Sequence, residues 1–306
     1  MQRIDVVIAA HNGARHLEAS LSAFGASEAV AIRLIVVDNA SVDDSVAIAR
    51  DHAARVVELP VNVGYGAACN EGLALAEAEW VAFANQDVVV APDALQRLLA
   101  ACDAFEGRER RPVVGGPLLL DVEGRASSGC HRLPSLPRQI IGLMTSERVA
   151  GVRYRRRTLR MRTCGWVDGA LLLGRASTFR AIGGFDVRYF MYVEDVDLFA
   201  RLAESGARCL WVPAATVVHH GGRRPLAPEL HAGALRNWSL YFRARAGPAA
   251  GATVLTAGVL GSVARGLAWR LRSLGNAPEA RAWATMFLEG ARIVLRSRPT
   301  QSEKVR

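Results

Sequence analysis

The segment Ile4–Gly13 reads IDVVIAAHNG, and it begins the pattern that decides the fold. Its apolar run Ile4–Ala10 is typical of a buried strand, and the polar residues that end it favour a turn. Leu17, Leu21 and Phe24 then recur at helical spacing. A strand, a turn and a helix in this order form the first unit of an alternating α/β chain.

The alternation of strand and helix continues through the first hundred residues. It predicts βαβ units, and therefore an α/β fold with a mainly parallel, Rossmann-like sheet flanked by helices. The later predicted strands are Leu34–Val37, Arg55–Leu59, Trp80–Ala84, Pro112–Leu120, Val167–Leu173, Cys209–Val212 and Thr216–Val218. The later predicted helices begin at about Ser41, Gly64 and Pro92, and two more span Arg175–Ile182 and Glu194–Glu204.

Two regions depart from this alternation. The stretch Gly124–Thr163 is rich in Arg, Pro, Ser and Gly, which predicts a long, partly ordered loop. After Gly222 the pattern is helical to the end of the sequence. We therefore predict an α/β domain over residues 1–222 and a basic, helical C-terminal appendage over residues 223–306.

The positive charge is concentrated in the C-terminal appendage. The formal net charge is +9, and residues 223–306 carry fourteen Arg or Lys against four Glu, a net +10, which leaves −1 for residues 1–222. A second basic cluster, Arg153–Arg162, lies within the predicted loop. Basic surfaces attract nucleic acid, anionic lipid or phosphorylated substrates.

The five cysteines are spaced singly along the chain, with no C-x-x-C pair. This usage fits a reducing cytosol better than a disulfide framework or a zinc site. No basic-then-apolar leader precedes Ile4, so we expect no export signal and a cytoplasmic location.

Polar side chains follow several predicted strands. Asn12, Asp38 and Asp87 come just after strand ends, and ligands of open α/β sheets bind beyond the carboxyl ends of strands. An acid such as Asp38 can accept hydrogen bonds from a pyrimidine ring or a ribose, and Asp87 can hold Mg²⁺ or Mn²⁺ against substrate phosphates. His219 and His220 follow another strand and could ligate a metal, although a structural histidine is more common. For either acid alone, a helix cap or an Asx turn is the alternative.

Glycines precede a predicted helix in the segment Asn62–Gly72, which reads NVGYGAACNEG. Gly64 and Gly66 would let the backbone approach a diphosphate at the helix N-terminus, and a simple tight turn is the alternative. The chain contains neither a G-x-G-x-x-G fingerprint nor a P-loop, which disfavours a nicotinamide dehydrogenase.

Three acids crowd the segment Tyr189–Leu198, YFMYVEDVDL, which follows the Gly-Gly-Phe-Asp of residues 183–186. Glu194, Asp195 and Asp197 lie within four residues of one another. Burying so many carboxylates beside aromatic side chains is costly, and a helix cap explains only one of them. The segment therefore indicates a functional site.

In their order along the chain, these clusters resemble glycosyltransferase family 2, whose members are inverting enzymes with a nucleotide-binding GT-A fold. The stretch GGFD…FMYVEDVDL is the most specific part of the resemblance. Within the family, the chain is most similar to bacterial rhamnosyltransferases of cell-wall or surface-polysaccharide assembly. The matching segments, within about the first two-thirds of the chain, are Ile4–Gly13, Val36–Ser45, Asn62–Gly72, Asn85–Asp87, Trp166–Ala170, Gly183–Arg201 and Val212–Gly222.

The resemblance implies which residues act on the acceptor. Asp195 would be the general base, with Glu194 beside it, and Asp168 and Gly169 would border the acceptor. The segment Ser127–Gly142 is similar to that of relatives acting on polyprenyl-diphosphate-linked sugars. The acceptor is therefore expected to be a glycan or a lipid-linked sugar.

The resemblance also implies the donor and metal sites. Asp87 would bind the metal and the diphosphate, and His219 rather than His220 would complete the metal site. Many relatives carry a D-x-D triad, whereas Asn85 takes its first position here, which predicts weaker binding of Mg²⁺ or Mn²⁺. The residues expected to bind the nucleotide-diphosphate sugar, best matched by dTDP-rhamnose, are Asn12, Asp38, Asn62, Gly64, Tyr65, Asn85 and Asp87.

The implied reaction is one displacement, in which the acceptor hydroxyl gives its proton to Asp195 and the diphosphate leaves from the opposite face. Two other functions stay open. A nucleotidyltransferase could share the strand-end acids, although it would usually need a basic loop after the first strand. A non-catalytic sugar- or partner-binding relative would explain Asn85, but it has little reason to keep Glu194, Asp195 and His219 together.

The C-terminal appendage carries a candidate membrane contact. Ala246–Ala264 is an uncharged stretch of 19 residues, close to the ~20 residues of a spanning helix, but rich in Ala and Gly. Beyond it, Leu267, Trp269 and Leu271 alternate with arginines, which suits an interfacial helix on anionic lipid. A packed helix pair with a solvated basic face is the alternative. We predict peripheral attachment to the inner face of the cell membrane, no nucleic-acid partner, and make no prediction of the oligomeric state.

Overall fold

The computed structural model describes residues 1–52, 54–145, 159–221, 225–273 and 278–296. Arg160 and Arg162 of the predicted basic cluster fall within these ranges, whereas its other arginines lie outside the described residues. Contacts between residues divide the described chain into two compact units. An α/β unit comprises residues 1–133, 159–190 and 194–221, and a helical unit comprises residues 134–145, 191–193, 225–273 and 278–296.

Strands and helices alternate along the first part of the chain, as the periodicity predicts. The strands are β1 (Arg3–Ala10), β2 (Ala31–Asp38), β3 (Arg55–Glu58), β4 (Trp80–Asn85), β5 (Val88–Val90), β6 (Val113–Leu120), β7 (Ala126–Ser128), β8 (Cys130–His131), β9 (Arg162–Cys164), β10 (Trp166–Val167), β11 (Leu171–Arg175) and β12 (Arg208–His219). The helices are α1 (Ala14–Gly25), α2 (Ser45–Asp51), α3 (Tyr65–Ala74), α4 (Ala94–Glu109), α5 (Leu136–Met144), α6 (Ala176–Ala181), α7 (Glu194–Glu204), α8 (Pro228–Ala246), α9 (Pro248–Arg272) and α10 (Pro278–Arg296).

The large sheet has the strand order β3-β2-β1-β4-β11-β6-β12-β5, with β7 paired to β6 and β9 to β12. Strands β1 to β4 pair in parallel, and so do β6 and β12. Strands β5, β7, β9 and β11 run antiparallel to their neighbours. The sheet is therefore mixed but mostly parallel and flanked by helices, which confirms the predicted α/β fold class.

The two faces of the sheet bury two separate apolar cores. Along β1, Ile4, Val6 and Ile8 belong to one core and Val7 belongs to the other. Strands that are buried on both faces have nearly continuous apolar sequences. This burial explains why Val6–Ala10 is apolar without polar alternation, while the buried Asp5 is paired with Arg33.

The helical unit consists of α5, α8, α9 and α10, together with residues 191–193. A Cβ atom at Gly261 of α9 would collide with the Leu143 carbonyl oxygen, so glycine permits the close approach of α5, and Arg265 donates to the same carbonyl. Asn237 of α8 donates hydrogen bonds of 2.9 and 3.0 Å to the carbonyl oxygens of Met191 and Tyr192. These contacts place residues 134–145 and 191–193 with the C-terminal helices, whereas we predicted them within the α/β domain.

The predicted loop Gly124–Thr163 contains regular structure in its described parts. Strands β7 and β8, helix α5 and the start of β9 all fall within it. Helix α5 was not predicted, because its nine residues include Pro137 near the start and are too few for a clear helical period. The prediction of a long loop is therefore wrong for residues 126–128, 130–131 and 136–144.

Three strand predictions also differ from the structure. The predicted strand Val167–Leu173 is two strands, β10 and β11, because a turn separates them at residues 168–170. Cys209–Val212 and Thr216–Val218 are parts of one strand, β12, whose pairing is irregular between Val212 and Thr216. Strand β5 was not predicted, because three residues are too few to show a period.

Candidate active site

The carboxyl edge of the sheet collects most of the predicted site residues. Asp38 ends β2, Asn85 ends β4 and His219 ends β12. Asp168 and Gly169 reach the same edge because β11 runs antiparallel beside β4 and begins there. Ligands of open α/β sheets bind at this edge.

Asp38 is a buried carboxylate with one unused acceptor. It is 3% exposed, and its Oδ2 accepts a hydrogen bond from the Ser41 N–H, three residues further on, at 3.0 Å. Its Oδ1 is buried and has no hydrogen-bond partner among the described residues. A buried acceptor without a partner is costly, so this oxygen suits a ligand N–H or O–H, such as a pyrimidine imide or a ribose hydroxyl.

Asn39 fixes the loop that precedes α3. Its Nδ2 donates to the Gly64 carbonyl at 3.2 Å, and its Oδ1 accepts from the Val63 N–H at 2.8 Å. Asn39 was not among the predicted site residues, although its position directly after Asp38 at a strand end was a signal in the sequence.

Two of the residues predicted to bind the nucleotide sugar use their side-chain amide oxygens to accept hydrogen bonds within loops. Asn12 has a positive φ of 49°, and its Oδ1 accepts from the Val42 N–H at 2.9 Å. The Oδ1 of Asn62 accepts from the Gly64 N–H at 3.0 Å. Both side chains therefore shape the loops at the sheet edge.

Gly64 and Tyr65 connect the start of α3 to the rest of the site. Gly64 has a φ of +89°, and a Cβ there would collide with the Phe190 carbonyl oxygen, which accepts from the Tyr65 N–H at 2.9 Å. The Tyr65 hydroxyl donates to the Gly169 carbonyl at 3.2 Å. The glycine-rich segment and the turn at residues 168–170 are therefore joined by a hydrogen bond.

Asn85, Asp87 and His219 form a polar corner. The His219 Nε2 lies 3.3 Å from the Asp87 Oδ1 and 3.4 Å from the Asn85 Nδ2. The His220 ring instead lies 4.9 Å from the His16 ring, and the His220 N–H donates to the Asp87 carbonyl at 2.9 Å. His219 is therefore the histidine whose side chain contacts the Asp87 carboxylate.

The chemistry of this corner fits a divalent cation held partly by substrate. Burial alone would raise the pKa of Asp87, but the hydrogen bond and charge of His219, a backbone hydrogen bond and the charge of His16 together outweigh burial, so the pKa lies below its ordinary value. A Cβ at Gly221 would lie 2.7 Å from the His219 Nε2 and 2.9 Å from the Asp87 Oδ2, so glycine keeps space open beside both groups. No three His, Cys, Asp or Glu side chains converge in the described parts of the chain. A cation here would therefore need further ligands, such as Asn85, water and phosphate oxygens.

Glu194 and Asp195 open α7. They follow two non-glycine residues with positive φ, Tyr192 at 68° and Val193 at 75°, and such strained backbone is concentrated at functional sites. The Asp195 Oδ1 accepts from the Val196 N–H at 2.8 Å, and its Oδ2 accepts from the Gly169 N–H at 3.1 Å. The carboxylate is thus fixed toward the turn at residues 168–170.

Burial raises the pKa of both acids. Glu194 is 8% exposed, its Oε2 has no hydrogen-bond partner among the described residues, and the charge of Asp195 raises its pKa further. For Asp195, burial is again the largest cause and the charge of Asp168 the second, while the hydrogen bonds from Gly169 and Val196 lower the pKa. A carboxylate with a raised pKa binds protons more strongly, as a general base must.

The turn at residues 168–170 lies directly against Asp195. A Cβ at Gly169 would lie 3.1 Å from the Asp195 Cβ, so glycine allows the close approach. The Asp168 Oδ2 lies 3.1 Å from the Nε2 of His131. His131 was not among the predicted site residues, because it lies within the region predicted as a loop.

Four features therefore meet at one sheet edge: a buried carboxylate oxygen without a partner among the described residues, a glycine-rich helix start, a corner suited to a cation, and a partly buried carboxylate whose pKa is raised. This combination is typical of enzymes that take a sugar from a nucleotide-diphosphate donor.

Comparison with known proteins agrees with that class. The model of Glycosyl transferase family 2 matches residues 5–106. The chain is 34% identical over 238 residues to the N-acetylglucosaminyl-diphospho-decaprenol L-rhamnosyltransferase of Mycobacterium tuberculosis, covering 71% of this chain and 76% of the relative. It is also 46% identical over 55 residues to the rhamnosyltransferase WbbL of Escherichia coli, covering 18% of this chain and 21% of the relative. The chain belongs to glycosyltransferase family 2 and is a glycosyltransferase.

The fold is also similar to that of a solved glycosyltransferase. The mannosyltransferase PcManGT from Pyrobaculum calidifontis, solved in complex with GDP-Man and Mn²⁺, aligns with a TM-score of 0.56 at 18% identity, covering 96% of this chain and 87% of that chain. This likeness shows the GT-A fold that the resemblance implied.

Proposed function

We propose that this enzyme transfers L-rhamnose from dTDP-rhamnose to a hydroxyl of a glycan or a polyprenyl-diphosphate-linked sugar, with inversion and with a divalent metal. The name of the M. tuberculosis relative supports both the rhamnosyl donor and the lipid-linked acceptor. The observation that carries the proposal is the partly buried carboxylate of Asp195, which the Gly169 and Val196 N–H groups hold beside the sheet edge that also contains Asp38 and the Asp87–His219 pair.

Asp195 takes the proton of the acceptor hydroxyl as the hydroxyl oxygen attacks the anomeric carbon of the donor. Its raised pKa, due first to burial and then to the charge of Asp168, makes it a stronger base than an exposed aspartate. The hydrogen bonds from Gly169 and Val196 hold its oxygens in place. Attack from the side opposite the leaving diphosphate inverts the anomeric centre without a covalent intermediate.

The donor lies along the ends of the parallel strands. Asp38 accepts a hydrogen bond from the base or the ribose through its unused Oδ1. The segment Asn62–Tyr65, held by Asn39, brings the N-terminus of α3 to the diphosphate, where backbone N–H groups and the helix dipole stabilise negative charge. Asp87 and His219, with Asn85 beside them, would hold Mg²⁺ or Mn²⁺, which supplies positive charge for the departing diphosphate.

We further propose that the enzyme is cytoplasmic and attached peripherally to the inner face of the cell membrane. Among the described residues, α9 is the one helix long and apolar enough to cross a membrane by length and composition, but half of its most apolar window is buried within the protein. That burial favours a helix lying on the membrane over a spanning helix. Leu260, Leu267 and Leu271 are exposed and share one face of α9, with Arg270 and Arg272 next to them.

A panel of nucleotide sugars tests the donor and the metal by thermal shift. We expect dTDP-rhamnose to raise the Tm more than UDP- or GDP-sugars do, and only when Mn²⁺ or Mg²⁺ is present. The increase in Tm should be smaller in Asp38→Ala than in Asp103→Asn, which is a control in the exposed part of α4. A clear preference for a UDP-hexose would contradict the rhamnosyl donor. Equal stabilisation in a chelator would contradict the role of the metal.

A further inference from the structure

His131 is a buried histidine to which the reaction above assigns no role. It is 3% exposed and lies on β8, which pairs antiparallel with β10 so that His131 is opposite Trp166. The two rings stack, with centroids 4.1 Å apart and planes 17° from parallel. This packing fixes the plane of the imidazole and therefore the direction of its ring nitrogens.

The His131 ring, fixed in this way, faces the turn at residues 168–170. Its Nε2 lies 3.1 Å from the Asp168 Oδ2. An ionised carboxylate can only accept hydrogen bonds, so the Nε2 must carry the proton. The next residue, Gly169, donates its N–H to the Asp195 Oδ2 at 3.1 Å. A chain of contacts thus runs from His131 through the turn to Asp195.

We propose that His131 is a positioning residue that holds the Asp168 carboxylate in place beside Asp195. It acts through Asp168, which borders the acceptor, and does not itself contact the reacting atoms. The proposal rests on the proposed function for the role of Asp195 as the base.

The charged and titratable groups around Asp195 explain how His131 affects it. Glu194 adjoins it on α7, Asp168 faces it from the turn, Tyr65 faces it from α3, and His131 lies behind Asp168 on β8. The charge of Asp168 raises the pKa of Asp195, and His131 lowers it. Loss of the Nε2 donor would leave the Asp168 charge less compensated and would remove the hydrogen bond that directs its Oδ2 toward β8.

Two substitutions separate hydrogen bonding from packing. His131→Phe keeps an aromatic ring against Trp166 but removes the donor. His131→Gln loses the ring but places an amide N–H near the position of Nε2. The pKa of Asp195 can be followed by carboxyl ¹³C NMR in protein labelled at aspartate, with Asp195→Asn to assign the signal.

We expect the pKa of Asp195 to be higher in His131→Phe than in the wild type, and near the wild-type value in His131→Gln. We also expect the acid limb of the pH profile of kcat/KM to move to higher pH in His131→Phe. For each pH unit of this movement, kcat/KM on the acid limb should be about tenfold lower than in the wild type. The KM for the sugar donor should stay within about twofold of the wild-type value. His131→Gln should recover most of this loss.

Two results would overturn the proposal. One is the same Asp195 pKa in all three proteins, with only the Tm lowered, which would make His131 a packing residue. The other is His131→Gln behaving as His131→Phe does, in protein shown to be folded by its Tm. The NMR titration needs no turnover, so it decides the role of His131 even if the wild type transfers no rhamnose, a result that would count against the proposed function alone.

Discussion

Asp195 shows how one residue can be costly for folding and useful for function. Removing a carboxylate from water disfavours its charged form, and the charge of Asp168 adds to that cost. The position of Asp195 in the first turn of α7 offsets part of it, because the positive end of the helix dipole and the Val196 N–H stabilise the anion. The remaining cost appears as a raised affinity for protons.

If Asp195 is the general base, the variant Asp195→Asn should lose turnover but keep donor binding. The amide has nearly the same shape but cannot take a proton, so we expect kcat to fall by roughly 10²- to 10⁴-fold while donor binding is kept. Steady-state kinetics and calorimetric titration of the donor measure the two quantities. Asp103→Asn serves as the matched control, and near-normal turnover in Asp195→Asn would show that another group is the base.

A pH dependence follows from the same residue. The base works only when it is ionised, and the pKa of Asp195 is raised by burial and by Asp168. We therefore expect kcat/KM of the wild type to fall as the pH falls through this raised pKa, at a higher pH than for an exposed aspartate with a pKa of about 3.9. A profile that stays flat down to pH values near 4 would contradict the assignment.

Among the single elements, the segment that follows β12 borders the Asp87–His219 pair, where we propose that the cation binds. Gly221 is the residue whose missing side chain leaves space beside the His219 Nε2 and the Asp87 Oδ2. We expect Gly221→Ala to weaken Mn²⁺-dependent donor binding by roughly 10- to 100-fold, the range seen when groups around metal ligands are changed. Titration of Mn²⁺ at fixed donor concentration measures this effect.

The matched control for that prediction is Gly233→Ala in α8. A Cβ there meets no atom within 4 Å, and alanine in a helix interior is favoured over glycine by roughly 0.5–1 kcal/mol. Gly233→Ala should therefore raise the Tm slightly and leave Mn²⁺ binding unchanged. Equal Mn²⁺ affinity in both variants and the wild type would mean that the cation does not bind between Asp87 and His219.

The sequence predicts those parts of the site that lie at the ends of regular elements. Asp38, Asn85 and His219 end strands, and Glu194 begins a helix whose predicted bounds, Glu194–Glu204, match the structure. Apolar periodicity locates such ends, and the rule that ligands bind at the carboxyl edge of the sheet then groups the residues.

The contacts around His131 could not be predicted in the same way. His131 and Asp168 are 37 residues apart, and they meet only because the two-residue strands β8 and β10 pair. Strands of two residues show no period, and pairing across such a distance leaves no local signal. Helix α5 was missed for a related reason, since its partner α9 lies more than a hundred residues further along the chain.

The C-terminal helices combine positive charge with exposed apolar side chains. For the whole molecule, this combination predicts binding to anionic membranes. We expect the full-length protein to float with vesicles rich in phosphatidylglycerol at low salt, and to be released as salt screens its positive charge. The variant with Leu260→Ser, Leu267→Ser and Leu271→Ser should lose most of this binding. Val122→Ser, which changes an exposed apolar residue of the α/β unit, should keep it.

The flotation experiment has a clear contrary outcome. If the wild type does not bind anionic vesicles at low salt, where electrostatic attraction is strongest, the basic helices are a structural appendage and the membrane proposal is wrong. Binding that survives in the triple leucine variant would place the membrane contact elsewhere on the protein.

The anomeric configuration of the product tests whether the enzyme transfers the sugar in a single inverting displacement. A single displacement with Asp195 as the base must invert the configuration of the transferred sugar. Incubation of the wild type with dTDP-β-L-rhamnose, Mn²⁺ and a short-chain polyprenyl-diphosphate-linked N-acetylglucosamine, followed by NMR of the purified product, reads that configuration. We expect an α-L-rhamnosyl product, formed roughly 10²- to 10⁴-fold more slowly when Asp195→Asn replaces the wild type. A β-L-rhamnosyl product would show retention and would contradict the single-displacement mechanism.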